Sequence, residues 1–414
     1  MTRSLKPSIA DKLRNMGIKV GVENLQPPEL KTQTYVPIEA VLDGSFRSTR
    51  LGDTFVIEQD FPSTYHHGHT PLYTNAPLQV IAEWAHEPGL ANLPLESFAF
   101  IDTETSGLAG GTGTYAFLVG VGRFKGDSFH LAQFFMRDPS EEGALLEGLL
   151  EILAPCSALV TFNGKAFDAP LLVTRYSLHS IPNPLKELTH LDLLPLARRL
   201  WRDRLPSRAL KYLEENILAA PRSVDEVPGY EIPHLYFDYL RSGDATPLKG
   251  VFYHNAMDIV ALAALMNHMA SVLHAPYDGK IQHGLDFIAL AKLFEDLDRV
   301  EEAALLYERG LQAGLGEGDF SAAVQRLSNL HRRRGDLESA VILWQKAASE
   351  GHVYAHIELA KYHEHQKRDY PEALKWTLEA EDLVRSQELS RFEHRYWIQE
   401  LVHRKKRLLE RLRK

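Results

Sequence analysis

The spacing of apolar positions changes twice along the chain. Up to about residue 94 it is irregular, broken by prolines and turn residues. Short alternating runs such as Asp53 to Ile57 stand out there, as does a histidine patch, Tyr65-His66-His67-Gly68-His69. This reads as an N-terminal extension, residues 1–94, with a few strands and helices packed on the domain after it. From 95 to 272 apolar runs of strand length come first: Phe98 to Ile101, Tyr115 to Val121, Phe129 to Phe135 and Ala158 to Phe162. Helical periodicity appears next at Glu141 to Leu153, Pro170 to Tyr176, Leu191 to Trp201 and Val251 to Met269. Strands first, then strands alternating with helices, predict an α/β domain with a mixed sheet flanked by helices.

From 280 to 414 the strand pattern is gone and helical pairs recur. A small residue followed by a ring sits at Ala291/Phe294, Ser328/His331 and Ala360/His363, and an alanine comes after each at Ala303, Ala340 and Ala373. A bulky ring comes next at Tyr307, Trp344 and Trp376. These positions repeat after 37 and then 32 to 33 residues, bracketing the roughly 34 of a tetratricopeptide repeat. Small residues let helices approach and bulky ones fill the gaps. An ordinary helical bundle is the alternative. The tail from Arg391 carries nine Lys and Arg against three Asp and Glu, which reads as a solvated capping helix or as a phosphate-binding arm.

Length and composition narrow the class. The 414 residues, 44% hydrophobic and 24% charged, are enough for two or three cored domains and exclude a mostly disordered chain. No uninterrupted apolar stretch reaches the roughly 18 to 20 residues of a membrane helix, and MTRSLKPSIADKLRNMG lacks the apolar run of a signal peptide. A single cysteine, Cys156, excludes a disulfide framework and a cysteine-based zinc site. A soluble cytoplasmic protein without a membrane partner is expected. The net charge of −9 makes the whole chain no basic coat for nucleic acid, although local clusters decide that question.

Acidic residues carry the chemistry. The run Phe98-Ala-Phe-Ile-Asp-Thr-Glu-Thr-Ser-Gly107 ends a strand with Asp102 and Glu104 two residues apart, on one face of the strand. Side-by-side carboxylates repel and would partly protonate unless a cation lay between them. Oxygen ligands alone suit Mg²⁺ or Mn²⁺. A second acid, Asp168, comes after another strand in Asn163-Gly-Lys165-Ala-Phe-Asp168-Ala-Pro170, where Pro170 marks the first turn of a helix. A third, Asp258, interrupts the apolar helix Val251 to Leu265 and requires a partner. His254 lies one helical turn before it.

Together these residues resemble the four-acid DEDD exonucleases of the ribonuclease H-like superfamily. Gly110-Gly-Thr-Gly-Thr-Tyr-Ala-Phe-Leu-Val-Gly120, Thr161 to Asp168, Asp192-Leu-Leu, Ala197-Arg-Arg-Leu-Trp201, Leu205-Pro-Ser and His254-Asn255 with Asp258 narrow the likeness to its YprB-like family. Members of that family often carry tetratricopeptide repeats downstream. Residues from about 37 to 75 also resemble that family's leader.

The resemblance implies two divalent ions, Mg²⁺ or Mn²⁺, on Asp102, Glu104, Asp168 and Asp258, and hydrolysis of phosphodiesters from a 3′ end. Its histidine-type members place the base five residues before the last aspartate and its tyrosine-type members four. Here Tyr253 is at minus five and His254 at minus four. We favour His254 as the base because imidazole titrates near neutral pH; Tyr253 is the alternative. Asn163 and Lys165 are candidate phosphate contacts. Arg199, Trp201 and Arg202, in the basic stretch nearest the acids, are candidates to bind and stack nucleic acid, against the alternative of a charged helix face with Trp201 in the core.

The Gly110 to Gly113 loop lacks the Lys-Ser/Thr ending of a P-loop and reads as a tight hairpin. His66, His67 and His69 read as solvated turn residues rather than ligands, and Cys156 as an inert core residue. The implied partners are single-stranded 3′ ends, DNA before RNA, in nucleic-acid repair or processing, and a protein held by the repeats, a helicase by family analogy. A non-catalytic scaffold and a structure-selective endonuclease on the same site are the rival functions.

Overall fold

The computed structural model describes residues 35–73, 76–107, 113–223, 226–386 and 391–413; most of the Gly110 to Gly113 loop lies outside them. Seven strands form one sheet and two more form a small ribbon. In chain order they are β1 (Ser45–Thr49), β2 (Gly52–Pro62), the ribbon strands β3 (His66–His67) and β4 (Thr70–Pro71), β5 (Phe98–Thr105), β6 (Ala116–Lys125), β7 (Ser128–Phe135), β8 (Ala158–Thr161) and β9 (Thr189–Asp192). The sheet order is β1-β2-β7-β6-β5-β8-β9. The β5-β6-β7 meander is antiparallel, and β8 and β9 join parallel to β5. The expected mixed sheet is therefore present, but it begins earlier in the chain. Residues 45–62 form its outer hairpin, with β2 antiparallel to β7. The alternation around Asp53 to Ile57 belongs to this edge.

Helices cover both faces. They run α1 (Gln79–Trp84), α2 (Glu142–Leu153), α3 (Asp168–Leu178), α4 (Leu193–Trp201), α5 (Leu210–Leu213, continued by a π-turn at Glu214–Leu218), α6 (Ile232–Ser242) and α7 (Leu248–His274). Alternate residues of β5 serve two cores. Ala99 and Ile101 pack with Leu145 and Leu149 of α2, while Phe98 and Phe100 face Ile259 and Leu262 of α7. By length and composition α7 would suffice to cross a membrane, yet 78% of its most apolar window is buried inside the fold. It is the central core helix.

Seven further helices make up the C-terminal region: α8 (Gly284–Asp296), α9 (Val300–Gln312), α10 (Glu317–Arg333), α11 (Leu337–Ser349), α12 (Val353–Tyr362), α13 (Tyr370–Ser386) and α14 (Arg391–Leu412). Each packs against the next, as in a repeat-like stack. The small residues picked out by spacing, Ala291, Ala303, Ser328, Ala340, Ala360 and Ala373, are all fully buried, and Tyr307 and Trp344 fill the space between helices. Three cross-domain ion pairs tie the end of α4 to α8: Arg199–Asp296, Lys292–Asp203 and Arg204–Asp286.

Candidate active site

The acids gather where β5 ends. Asp102 and Glu104 continue the face of Phe98 and Phe100, so strand alternation aims them toward α7. Asp102 lies in register with Gly120 of β6, and Gly120 with Gln133 of β7. Asn255 of α7 sits over this row. Its amide donates to Asp102 Oδ2 at 2.9 Å and to the Asp102 carbonyl at 3.2 Å. Gln133 in turn donates to Asn255 Oδ1 at 2.9 Å and to the Phe252 carbonyl at 2.8 Å. Gln133 and Asn255 are buried. Gly120 makes this possible, because a Cβ there would stand 2.3 Å from Asn255 Oδ1 and 2.2 Å from Ile259 Cδ1. A bare backbone lets the helix lie close enough to bring its polar side chains to the strand end.

Asp168 arrives from the other side of the sheet, as the first residue of α3. Its carboxylate accepts from Thr103 Oγ1 at 2.5 Å. The turn before it is fixed by Asp192, whose carboxylate accepts from the backbone N–H of Asn163 (2.7 Å), Lys165 (3.1 Å) and Leu194 (3.0 Å). One side chain thus caps α4 and clamps the loop that leads to Asp168. Asn163 is left-handed at φ 67°, a conformation asparagine tolerates. Gly164 beside it approaches Thr161 so closely that a Cβ would collide.

His254 and Asp258 come from successive turns of α7. His254 Nε2 is 3.5 Å from Asp258 Oδ2, and its Nδ1 is 3.3 Å from Glu226 Oε1. The segment before α6 supplies a buried arginine that sequence reasoning missed. Arg222 donates to Asp258, to Glu214 (Nε, 2.7 Å) and to Glu226 (Nη1, 2.8 Å). Glu214 also meets His67 Nε2 at 2.8 Å, and Glu226 meets Lys211 at 2.5 Å. The Tyr253 hydroxyl accepts from the Ser223 N–H at 3.2 Å, which directs it toward the same segment. No local pattern around Arg222 marked it. Asn255 stood in the His254-Asn255 motif without a role, and Gln133 was legible only as a polar residue in an apolar run.

Electrostatics bind these groups into one site. Burial pushes the Asp102 carboxyl well above its ordinary range, and repulsion from Asp258, Glu104 and Asp168 pushes it the same way. Glu104 is pushed up to about 8, first by burial and then by Asp258 and Asp168, with Arg222 opposing. Burial also raises Asp168, against the Thr103 hydrogen bond that lowers it. Each carboxyl keeps some exposed area, yet the protein packed around it strips enough water to penalise charge. As their side chains stand, no three His, Cys, Asp or Glu among the described residues are grouped tightly enough to hold a metal ion. Thr103 holds Asp168 and Arg222 holds Asp258. The donor chemistry still fits a divalent oxygen-liganded cation: four carboxylates facing one strand end, three of them penalised for their charge, with no thiolate beside them.

The other predicted residues divide. Lys165 is exposed beside the Asp168 turn, and Asn163 is half-buried there. Two of the three residues predicted to hold nucleic acid in the basic stretch, Trp201 and Arg199, are engaged within the protein. Trp201 is 3% exposed in the core beneath α7 and offers no face to a base. Arg199 is paired with Asp296 of the helical region. Arg202 is exposed, 3.7 Å from Asp203. Amphipathic periodicity, with Leu196, Leu200 and Trp201 buried together, outweighed the basic pattern. In the histidine patch His66 and His69 are exposed, but His67 is buried on Glu214 rather than solvated. Cys156 is half-buried and its thiol is pushed up by burial, which keeps it protonated and inert.

Comparison with known proteins agrees with this architecture. The ribonuclease H superfamily model matches residues 99–270, the span from β5 through most of α7. The uncharacterised protein YprB of Bacillus subtilis (strain 168) is 34% identical over 328 residues, which cover 77% of this chain and 78% of YprB. A family B DNA polymerase from the hyperthermophilic archaeon Pyrobaculum calidifontis shares 17% identity at a TM-score of 0.34, over 52% of this chain and 29% of the polymerase; so slight a likeness carries no argument. Extended identity to YprB, around a sheet and core helix of ribonuclease H type, places the chain in the YprB family, with a central domain of the ribonuclease H superfamily, a nuclease fold.

Proposed function

We propose that this protein is a metal-dependent nuclease of the two-metal DEDD type that shortens single-stranded DNA from its 3′ end. The observation that carries the reading is the crowding of Asp102, Glu104 and Asp168, with Asp258 beside them, at the end of β5, where burial first and neighbouring carboxylates second penalise charge on Asp102 and Glu104. A cluster that penalises its own charge is a poor structural element and a good receptor for cations. The four carboxylates would hold two ions, Mg²⁺ or Mn²⁺. Bound ions of this kind supply a water of lowered pKa and positive charge for the departing oxygen.

The chain's own residues do the rest. Asn255 and Gln133 fix the rotamer of Asp102. Asp192 fixes the turn that presents Asp168. His254 takes the proton of the attacking water, held between Glu226 and Asp258. The Tyr253 hydroxyl is engaged by the Ser223 N–H, which favours the histidine over the tyrosine as base. Lys165, exposed beside Asp168, steers the phosphate backbone, with Asn163 next to it. The stacked C-terminal helices offer a surface for a protein partner.

The test is a 5′-labelled single strand of DNA and the same sequence in RNA, each incubated with the protein and Mn²⁺. Stepwise loss from the 3′ end, faster on DNA, is the expected result. Binding without any shortening would make the protein a scaffold. Cuts in a closed single-stranded circle would make it an endonuclease on the same acids.

A further inference from the structure

Arg222 is a buried cation shared by three carboxylates, one of which the proposed metal site needs. Its side chain is 2% exposed. Nε and Nη2 meet Glu214, Nη1 meets Glu226, and Nη2 meets Asp258. Glu214 is fully buried and Asp258 keeps 17% of its side-chain surface. The charges facing the guanidinium are therefore the three carboxylates themselves, with Lys211 beyond Glu226, His67 beyond Glu214, and His254 between Glu226 and Asp258.

A guanidinium presents five donors in a rigid fork. If Asp258 turns away, Arg222 still has Glu214 and Glu226, so neither it nor they become an uncompensated buried charge. An ammonium at this place could not span all three partners. Asp102, Glu104 and Asp168 have no such ion pair among the described residues; Asp102 accepts from Asn255 and Asp168 from Thr103, both neutral. The asymmetry singles out Asp258.

We propose that Arg222 is a built-in counter-ion for Asp258 that a divalent cation must displace, so that it sets the metal affinity of the site. This inference rests on the metal-dependent reading above. Arg222 is too deeply buried to contact a substrate phosphate from where it stands. Its role is to compete for a ligand. Glu226 extends the effect to His254, because the carboxylate that Arg222 grips is also the one nearest His254 Nδ1.

The experiment measures Mn²⁺ binding to the full chain by calorimetry and by the loss of free-ion paramagnetic signal. The proteins compared are wild type, Arg222→Gln, the double variant Glu214→Gln/Arg222→Gln, and Asp258→Asn. Removing the competing charge should tighten Mn²⁺ binding about tenfold in both Arg222 variants, and enlarge the rise in melting temperature on adding Mn²⁺. The double variant replaces a buried ion pair with neutral amides and carries the comparison if Arg222→Gln alone does not fold. Wild-type affinity, or weaker binding, in the folded Arg222 variants overturns the inference and leaves Arg222 a structural cross-link. A wild-type protein that binds no Mn²⁺, or binds it equally well as Asp258→Asn, overturns the metal-dependent reading itself.

Discussion

Gly120→Ala probes the joint on which the site depends. The added Cβ would stand 2.2 Å from Ile259 Cδ1, 2.3 Å from Asn255 Oδ1 and 3.1 Å from Asn255 Cγ. Carbon contacts sit comfortably at about 3.5–4.0 Å, so more than about 1 Å must open. Ile259 can swing its terminal methyl. Asn255 cannot swing its amide without breaking the bond it gives Asp102 or the one it takes from Gln133. Overpacking of this sort costs about 1–3 kcal/mol, and the lost hydrogen bond adds about 0.5–1.5 kcal/mol.

The sum, about 1.5–4.5 kcal/mol, corresponds to a fall in melting temperature of roughly 3–18 °C at the slope of a domain this size. If α7 yields instead, Asp258 and His254 move with it, and a displacement of about 1 Å costs on the order of 100-fold in rate. Differential scanning calorimetry with a parallel cleavage assay checks both outcomes. Gly89→Ala is the control, since a Cβ there meets nothing within 4 Å. A Gly120→Ala protein that melts and cuts like the control would refute the claim that helix–strand approach builds the site.

The same geometry sets further expectations. Glu104, at about 8, and the raised Asp102 hold protons in the native state that the unfolded chain, with carboxyl pKa values near 4, releases. The contribution of Glu104 to stability is therefore fully present below about pH 4 and is lost as pH rises toward and through 8, and Asp102 acts in the same direction. In chelator, wild type should melt lower at pH 8.5 than at pH 6, and Glu104→Gln should flatten that slope; equal slopes would contradict the repulsion. Asp192→Ala removes the acceptor of three backbone N–H groups, two of them in the turn before Asp168, and should cost about 2–3 kcal/mol in urea unfolding, with weaker Mn²⁺ binding. Trp201→Ala should cost about 3–5 kcal/mol by opening the core, whereas Arg202→Ala should stay within about 0.5 kcal/mol. A Trp201→Ala protein of normal stability that has lost single-strand binding would restore the stacking role that burial denies it.

Local periodicity made the regular elements legible. Strand alternation was enough to pair Asp102 with Glu104, and the apolar run around Asp258 was enough to demand a partner for it. The partner in the structure is Arg222, which lies on a segment without regular period and reaches α7 only through tertiary folding. Clamps of this kind, Asp192 on Asn163 and Asn255 on Asp102 among them, leave no trace in spacing because their bonds join distant elements. Trp201 shows the opposite failure. A basic, aromatic stretch suggested a nucleic-acid surface, but a tryptophan gains more from burial than a base would return, and Arg199 and Arg204 beside it close ion pairs to α8. The early hairpin was visible as alternation, yet nothing local said which sheet edge it would extend.

The central claim is that Asp102, Glu104, Asp168 and Asp258 act together as ligands for catalytic cations. Its most direct test is the rate at which a 5′-labelled single strand loses 3′ nucleotides in saturating Mn²⁺, for wild type, Asp102→Asn and Asp258→Asn purified side by side. The account predicts shortening by wild type that chelator stops, and a loss of at least about 1,000-fold in either folded variant. Undiminished shortening by either variant, or shortening by wild type that persists in chelator, would contradict it.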